Sequence, residues 1–188
     1  MAKAKVLSKD EAKRVLRIAE TSSHGQRDKL ALALSILGGM RVGEIATLKI
    51  GDVRGLDGRA VEVVHLTRHQ TKGNRSRRVF LGDELRKHIT HFLSYSTNLP
   101  DGAALIRSSR TGKHMCTVTL STRLKGIYRA AGIDTSSHAG RRTFATRKNE
   151  IGIGMATIQQ LMGHSSIQTT ALYCHVSDEQ LRNAANAG

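Results

Sequence analysis

Glycines divide residues 138–175 into three short segments, each with the apolar spacing of a helix. The pattern predicts one helix over 139–150, with Gly152 as its stop. A second helix is predicted over 155–162, and Gly163 ends it. A third is predicted to follow, opened by one of two adjacent serines, because serine is a favoured N-cap residue. This part of the chain is therefore predicted to be helical.

The same stretch carries a concentration of side chains capable of chemistry. His138 and Arg141 are three residues apart, so they share a face of the first predicted helix. His164 and Tyr173 lie on either side of the start of the third helix. No other part of the sequence places so many candidate catalytic groups close together.

Positive charge is in large excess, with 30 Lys and Arg against 15 Asp and Glu among 188 residues, a net charge of +15. This excess indicates a polyanionic partner, with nucleic acid first and an anionic membrane second. The sequence has neither an apolar run of about 18 residues nor a hydrophobic signal segment, which argues against the membrane. With three Phe, three Tyr and no Trp, it is also a poor candidate for base stacking on single strands. Duplex DNA is therefore the favoured partner.

The length favours a single domain whose core needs no disulfide or metal. The two cysteines, Cys116 and Cys174, indicate reduced thiols of a cytoplasmic protein. His88 and His91 share one face of a predicted helix, but no third ligand is near them in the sequence. We therefore expect no metal site and no cofactor.

The apolar pattern predicts helices elsewhere as well. Ser8 and Glu11 form a capping box that opens the first helix. A nearly continuous apolar run over 30–37 predicts a buried helix that stops at Gly38 and Gly39. Further helices are predicted from Asp83, as a cap, to about Tyr95, from Thr117 to Gly132, and over about two turns after a capping box at Ser177.

Residues 60–82 change to the pattern typical of strands. Two strands are predicted around a turn over 71–74, and the tip of this β-hairpin is basic. The chain is thus predicted to be mainly helical with one small antiparallel sheet.

Three features occur at fixed spacing: an HxxR motif at His138 and Arg141, a GH pair that ends in His164, and a tyrosine nine residues later. Together they resemble the active-site core of the tyrosine recombinases, the phage integrase family. The segment MGHSSIQTTALYCHV, residues 162–176, is similar to that family's LGHSSIxTTxxYxHV nearly letter for letter. Agreement at six or more positions makes the signature specific.

A second segment, GGMRVGEIATLKIGDV at residues 38–53, resembles the family's first arginine region. By itself Arg41 is more simply a surface arginine paired with Glu44, but together with the signature it becomes a catalytic candidate. Two positions depart from the family pattern: Gly140 stands where leucine is usual, and Arg142 where histidine is frequent.

The resemblance implies the tyrosine recombinase catalytic-domain fold, mainly α with a small antiparallel β-sheet near residues 50–81 (α+β). It also implies site-specific cleavage and rejoining of duplex DNA through a 3′-phosphotyrosine intermediate, without metal or ATP. The implied roles are Tyr173 as nucleophile, Arg41 and Arg141 as phosphate clamp, Lys72 as general acid, His138 as general base or relay, and His164 as a hydrogen-bond partner of the phosphate.

Other residues receive supporting roles from the same resemblance. Glu44 is implied as a structural partner of Arg41. The basic residues Arg75, Arg77 and Arg142 are expected to contact DNA. A lysine on a mobile turn suits the role of general acid, because its flexible stem can deliver a proton to a leaving oxygen more readily than an arginine can.

Simpler interpretations stay open on the sequence alone. Lys72 could be a solvated turn lysine, and Tyr173 an ordinary core tyrosine. Two other functions also stay open: a type IB topoisomerase-like nicking-closing enzyme, and a non-catalytic DNA-binding accessory protein. A topoisomerase would yield relaxed circles, whereas a recombinase exchanges DNA partners.

We expect residues 1–188 to be a single catalytic domain, without the N-terminal domain with which family members usually clamp the other face of DNA. The resemblance implies that the tail, residues 177–188, docks on a neighbouring protomer through Leu181. Expected partners are double-stranded DNA with a specific crossover site and a homotetramer on that DNA, with accessory DNA-bending proteins as further candidates. The expected location is the cytoplasm, at the nucleoid when bound to DNA, with no membrane partner.

Overall fold

The computed structural model describes residues 4–71, 73–172 and 178–186. Within these residues the chain is mainly helical, with one two-stranded antiparallel sheet. The predicted fold class is confirmed. The helices are α1 Lys9–Glu20, α2 Gly25–Ile36, α3 Val42–Thr47, α4 Ile50–Val53, α5 Asp83–Ser94, α6 Thr117–Ala130, α7 Ala139–Glu150, α8 Met155–Met162, α9 Ile167–Ala171 and α10 Asp178–Asn186, and the strands are β1 Val63–Leu66 and β2 Arg77–Phe80.

The core is built around α2, which contacts α1, α5 and α7. Every residue from Leu30 to Ile36 is buried, so the predicted burial of this helix is confirmed. Its predicted start at Leu30 is wrong, because α2 begins at Gly25. The capping box of Ser8 and Glu11 opens α1 as predicted.

The additional first turn of α2 is polar, and its one buried residue, Asp28, is surrounded by ion pairs. The Asp28 carboxylate is 1% exposed and accepts hydrogen bonds from Arg27 at 2.8 Å and Arg123 at 2.6 Å. The Ser22 hydroxyl donates to the same carboxylate at 2.9 Å. A turn whose one buried residue is an ion-paired aspartate leaves no apolar periodicity in the sequence, which explains why the pattern missed it.

The close approach of α2 and α7 explains one departure from the family pattern. A Cβ atom built on Gly140 would lie 2.6 Å from Ser35 Oγ and 2.9 Å from Ile36 Cγ1. A leucine at this position would therefore push α7 away from α2. Glycine keeps α7, which carries Arg141, close to the segment that leads from α2 to Arg41.

β1 and β2 form the predicted hairpin, with Leu66 opposite Arg77. The sheet begins at β1 rather than near residue 50, because the segment expected to open it forms the short helix α4. The Asp52 carboxylate accepts a hydrogen bond from the backbone N–H of Lys49 at 2.8 Å and closes the first turn of α4.

Over residues 138–172 the glycine-divided stretch folds as predicted, and α7 and α8 have the predicted bounds. Ser166 caps α9, and its hydroxyl accepts a hydrogen bond from the Gln168 N–H at 3.2 Å. Gly163 ends α8 with φ +60°, a left-handed conformation that favours glycine.

The sequence also predicts N-caps for two other helices, α5 and α10. Asp83 is the first residue of α5 rather than its cap, which is Gly82. The predicted C-terminal helix is α10, whereas its predicted cap, Ser177, lies outside the described residues. Within the described ranges, the length and apolar character needed to span a membrane are not found in any helix.

Candidate active site

Three arginines from separate parts of the chain converge on the C-terminal end of α8. Arg41 precedes α3, Arg77 begins β2, and Arg141 lies on α7. The last carbonyl groups of a helix lack partners within it and carry the negative end of its dipole, so they attract guanidinium groups. The contacts are Arg77 Nη1 to Leu161 O at 3.0 Å, Arg141 Nη2 to Met162 O at 2.6 Å, and Arg41 Nη2 to Gly163 O at 2.9 Å. Three consecutive carbonyls therefore gather three cations in one place.

Each arginine of the predicted phosphate clamp has a second anchor. The Arg141 side chain is buried, and its Nη1 donates to the Gly39 carbonyl just after α2. The Arg41 side chain is partly buried, and its Nη1 donates to Glu44 Oε1 at 2.8 Å. A guanidinium held at two points has its orientation set before any ligand binds.

The two glycines that supply carbonyls to the clamp both have a positive φ, +61° at Gly39 and +60° at Gly163. A Cβ atom on Gly39 would lie 2.5 Å from Phe144 Cδ1, and one on Gly163 would lie 2.3 Å from Arg77 Cδ. The sequence marked both glycines as helix stops but gave no signal that their carbonyls hold arginines.

The carboxylate of Glu44 lies among these arginines and pairs with Arg41 and Arg77. It is 1% exposed, and Arg77 forks onto it, with Nη2 to Oε2 at 2.7 Å and Nε to Oε1 at 3.0 Å. Burial by itself raises the pKa of Glu44, but the hydrogen bonds and charge of Arg77 and the backbone N–H of Arg41 hold it below its ordinary value. Glu44 is therefore ionised at neutral pH.

The three arginines expected to contact DNA have different surroundings. Arg75 is exposed. The Arg77 side chain is 10% exposed, and its Nε, Nη1 and Nη2 each donate to a protein acceptor, while its contact with DNA stays a prediction. The physical reason is Glu44, a buried carboxylate that requires a cation beside it. Arg142 is half-buried on α7.

His164 follows α8 and is 9% exposed. Its Nδ1 lies 2.9 Å from Oγ1 of the fully buried Thr170. Burial lowers the pKa of His164 to about 4, and the charges of the three nearby arginines act in the same direction. The imidazole is therefore neutral at pH 7. Sequence reasoning did not single out Thr170, although it lies within the family-like GHSSIQTT segment.

One cleft of about 780 Å³ brings these groups together. The predicted site residues that line it are Arg41, Arg75, Arg77, His138, Arg141 and His164. His138 is exposed and is the N-cap of α7. Thr71 and Gly73, the sequence neighbours of Lys72, also line the cleft. Lys72 itself and Tyr173 lie outside the described residues.

The histidines considered as metal ligands lie elsewhere, on α5. His91 packs edge-on against Tyr95, with 5.1 Å between the ring centroids. Burial lowers the pKa of His88. Across the part of the chain that the structure describes, no three His, Cys, Asp or Glu side chains are placed to hold a metal ion.

We expect the free energy of unfolding to fall as the pH is lowered from about 6.5 towards 4. In the folded chain His164 takes up its proton only near pH 4, whereas an unfolded histidine does so near pH 6.5. Between these values the unfolded state binds more protons, so stability rises with pH, and about 2 kcal/mol is lost by pH 5. The measurement is urea unfolding at pH 7 and pH 5 of the wild type and His164→Gln. The stability of the wild type relative to the variant is expected to drop by this amount, and a constant difference would contradict the assigned pKa.

The phage integrase family model matches residues 5–180 of the chain. Tyrosine recombinase XerA of Thermococcus kodakarensis is 34% identical over 189 residues, which cover 96% of this chain and 61% of XerA. The chain spans about half the length of other curated relatives that it matches.

Solved structures agree with the sequence match. The crystal structure of XerA recombinase superposes with a TM-score of 0.76 at 29% identity, over 98% of this chain and 63% of that chain. XerH recombinase bound to its palindromic difH substrate, at 22% identity, shares the fold with a TM-score of 0.74, over 99% of this chain and 53% of that chain. Because the family model covers nearly all of its residues, the chain belongs to the tyrosine recombinase (phage integrase) family.

Proposed function

We propose that the chain is the catalytic domain of a site-specific DNA recombinase that cleaves and rejoins duplex DNA through a 3′-phosphotyrosine intermediate. The observation that carries the proposal is the meeting of Arg41, Arg141 and His164 in one cleft at the end of α8. A phosphodiester bears one negative charge and gains more as it becomes pentacoordinate. Two oriented cations beside a neutral hydrogen-bond donor suit this change in charge.

Arg41 and Arg141 act as the phosphate clamp, donating hydrogen bonds to the non-bridging oxygens of the scissile phosphate. Charge-assisted hydrogen bonds from guanidinium groups are strong and directional. Because carbonyls of the protein already hold both side chains, little reorganisation accompanies the development of charge. The clamp supplies positive charge from the protein itself.

His164 supplies a neutral hydrogen bond to the same phosphate. In this mechanism the Thr170 hydroxyl donates to Nδ1, so the proton of the ring resides on Nε2, and Nε2–H donates to a phosphate oxygen. With a pKa of about 4, the imidazole keeps this form throughout the neutral range. The buried threonine is therefore the group that sets the tautomer of His164.

The remaining residues have roles in making and breaking bonds. Oη of Tyr173 attacks the phosphorus atom and forms a phosphotyrosine bond, while the bond from phosphorus to the 5′ oxygen breaks. Lys72 donates a proton to the departing 5′ oxygen, and His138 accepts or relays the tyrosine proton. The position of His138 in the cleft supports this role. Attack by a 5′ hydroxyl of a second strand reverses the step, so the energy of the bond is conserved without ATP.

Double-stranded DNA is the proposed substrate. The net charge of +15 and the exposed Arg75 at the cleft favour contact with phosphates, and XerH, which shares the fold, is bound to its DNA substrate. We also propose assembly of a homotetramer on the crossover site, in which the tail docks on a neighbouring protomer. The exposure of Leu181 on α10 supports its role as the anchor of that tail.

The test is an exchange assay in low salt, with sites selected by the protein from randomised duplex DNA. Two differently labelled duplexes that carry the selected site are incubated with the chain, and the strands are separated on a gel. Strands that join the two labels are the expected result. Relaxation of a supercoiled plasmid that carries the selected site, without strand exchange between the duplexes, would favour a type IB topoisomerase-like enzyme, and binding without cleavage would favour an accessory protein.

A further inference from the structure

Arg75 and Arg77 lie on the same arm of the hairpin, two residues apart, and share the expectation of DNA contact. Their surroundings are opposite, because Arg75 is exposed whereas the Arg77 side chain is largely enclosed. Arg75 lies in the loop before β2 and Arg77 is the first residue of β2, so their positions in the sequence alone do not separate them. The difference comes from what Arg77 meets inside the protein.

Arg77 links three elements of the fold. From β2 it forks onto Glu44 of α3 through Nε and Nη2, and its Nη1 donates to Leu161 O at the end of α8. A guanidinium–carboxylate fork combines charge with a fixed geometry. The three donors therefore fix the position of the start of α3 relative to the end of α8.

Glu44 is shared by two arginines. Its Oε1 accepts from Arg41 Nη1 at 2.8 Å and from Arg77 Nε at 3.0 Å. Its Oε2 accepts from the Arg41 backbone N–H at 2.8 Å and from Arg77 Nη2 at 2.7 Å. A buried carboxylate must be balanced by nearby positive charge. With Arg77 in place, the two positive charges of Arg41 and Arg77 exceed the negative charge of Glu44 by one, and this positive charge remains for a ligand. Without Arg77, Glu44 would cancel the charge of Arg41.

We propose that Arg77 is a positioning residue for the phosphate clamp, which balances Glu44 and ties α3 to α8 so that Arg41 keeps its orientation and its charge for the scissile phosphate. This inference rests on the proposed function. Arg77 acts on the reaction through Glu44 and Arg41 rather than as a grip on DNA. The hairpin thus carries two arginines with separate tasks, Arg75 for DNA and Arg77 for the clamp.

The test compares Arg77→Gln with Arg75→Gln in two measurements. The first is single-turnover cleavage at saturating DNA, and the second is DNA binding between about 50 and 200 mM salt. Arg77→Gln is expected to cleave about 100-fold more slowly even at saturating DNA, because Glu44 then cancels the charge of Arg41. Arg75→Gln is expected to bind more weakly and to lower the salt slope by about one. A lower salt slope for Arg77→Gln, with a wild-type rate at saturation, would overturn the proposal.

A second comparison keeps the test decisive if Arg77→Gln fails to fold, as judged by thermal melting. Glu44→Gln is compared with the double variant Glu44→Gln, Arg77→Gln. The double variant removes both charges of the buried pair, so neither is left without its partner. If Arg77 acts through Glu44, its removal in this background changes the cleavage rate by less than about threefold. A full additional loss would overturn the inference.

Failure of the inference and failure of the proposed function give different results. A wild-type chain that binds its site and leaves it uncleaved would overturn both. Normal cleavage by the wild type together with an unchanged rate for folded Arg77→Gln would overturn the inference alone.

Discussion

The rate of DNA cleavage is expected to fall about 100- to 1,000-fold when Arg141 is replaced by lysine. The buried guanidinium donates to Gly39 O and Met162 O and lines the cleft. Lysine keeps the charge, but its single nitrogen cannot hold two carbonyls and a phosphate in one planar arrangement. The measurement is single-turnover cleavage of a selected duplex at saturating protein.

Arg147→Lys is the matched control for this change. Arg147 lies on the same helix, α7, and also donates to a backbone carbonyl, Ser8 O at 3.0 Å, yet it is not among the residues that line the cleft. Its cleavage rate is expected to stay within about threefold of the wild type. Equal losses in the two variants would mean that the effect of Arg141→Lys reflects a general disturbance of α7.

Gly163→Ala is the second change with a large expected effect, a loss of about 100-fold in cleavage rate. Alanine is strained at φ +60°, and its methyl group would lie 2.3 Å from Arg77 Cδ. Arg77 would then have to leave Glu44 and Leu161 O, and the carbonyl that anchors Arg41 would shift with the backbone. Cleavage rate and urea unfolding are measured on the same preparation.

Gly152→Ala separates backbone strain from displacement of Arg77. Gly152 also follows a helix with a positive φ, +80°, but nothing lies within 4 Å of a Cβ atom built on it. Both substitutions carry a backbone cost of about 1–2 kcal/mol, and Gly163→Ala alone moves Arg77. If both variants lost cleavage to the same extent, the contact between Gly163 and Arg77 would have no special part in the site.

Much of the fold could be predicted because its signals are local. α7 and α8 end where Gly152 and Gly163 allow a positive φ, and both bounds match the prediction. The start of α2 could not be predicted in this way. It depends on Asp28, whose burial is made possible by Arg123, 95 residues further along the chain.

Several residues that line the cleft could be predicted from the resemblance, but their geometry could not. The resemblance supplied His138, Arg141 and His164 as a set, and the structure places them in one cleft. It gave Arg75 and Arg77 the same task, since only Glu44 and the end of α8, which are distant in sequence, distinguish the two arginines.

Other parts of the site had little or no sequence signal. The carbonyls of Gly39 and Gly163 act through the backbone, so residue type alone does not reveal them. Thr170 contacts His164 across the turn between α8 and α9. This contact depends on the conformation of the turn, which the sequence pattern does not specify. The roles of Lys72 and Tyr173 stay predictions, because both residues lie outside the described ranges.

Covalent trapping on a nicked suicide duplex that carries the selected crossover site tests the proposed mechanism most directly. The nick lets the short fragment diffuse away after cleavage, so the phosphotyrosine intermediate accumulates and is seen on a denaturing gel. Wild type is compared with Tyr173→Phe, which lacks only the hydroxyl. We predict a protein–DNA adduct for the wild type and none for the variant, with equal binding of the duplex. An adduct that persists in Tyr173→Phe, or a wild type that binds the site and forms no adduct, would contradict the mechanism.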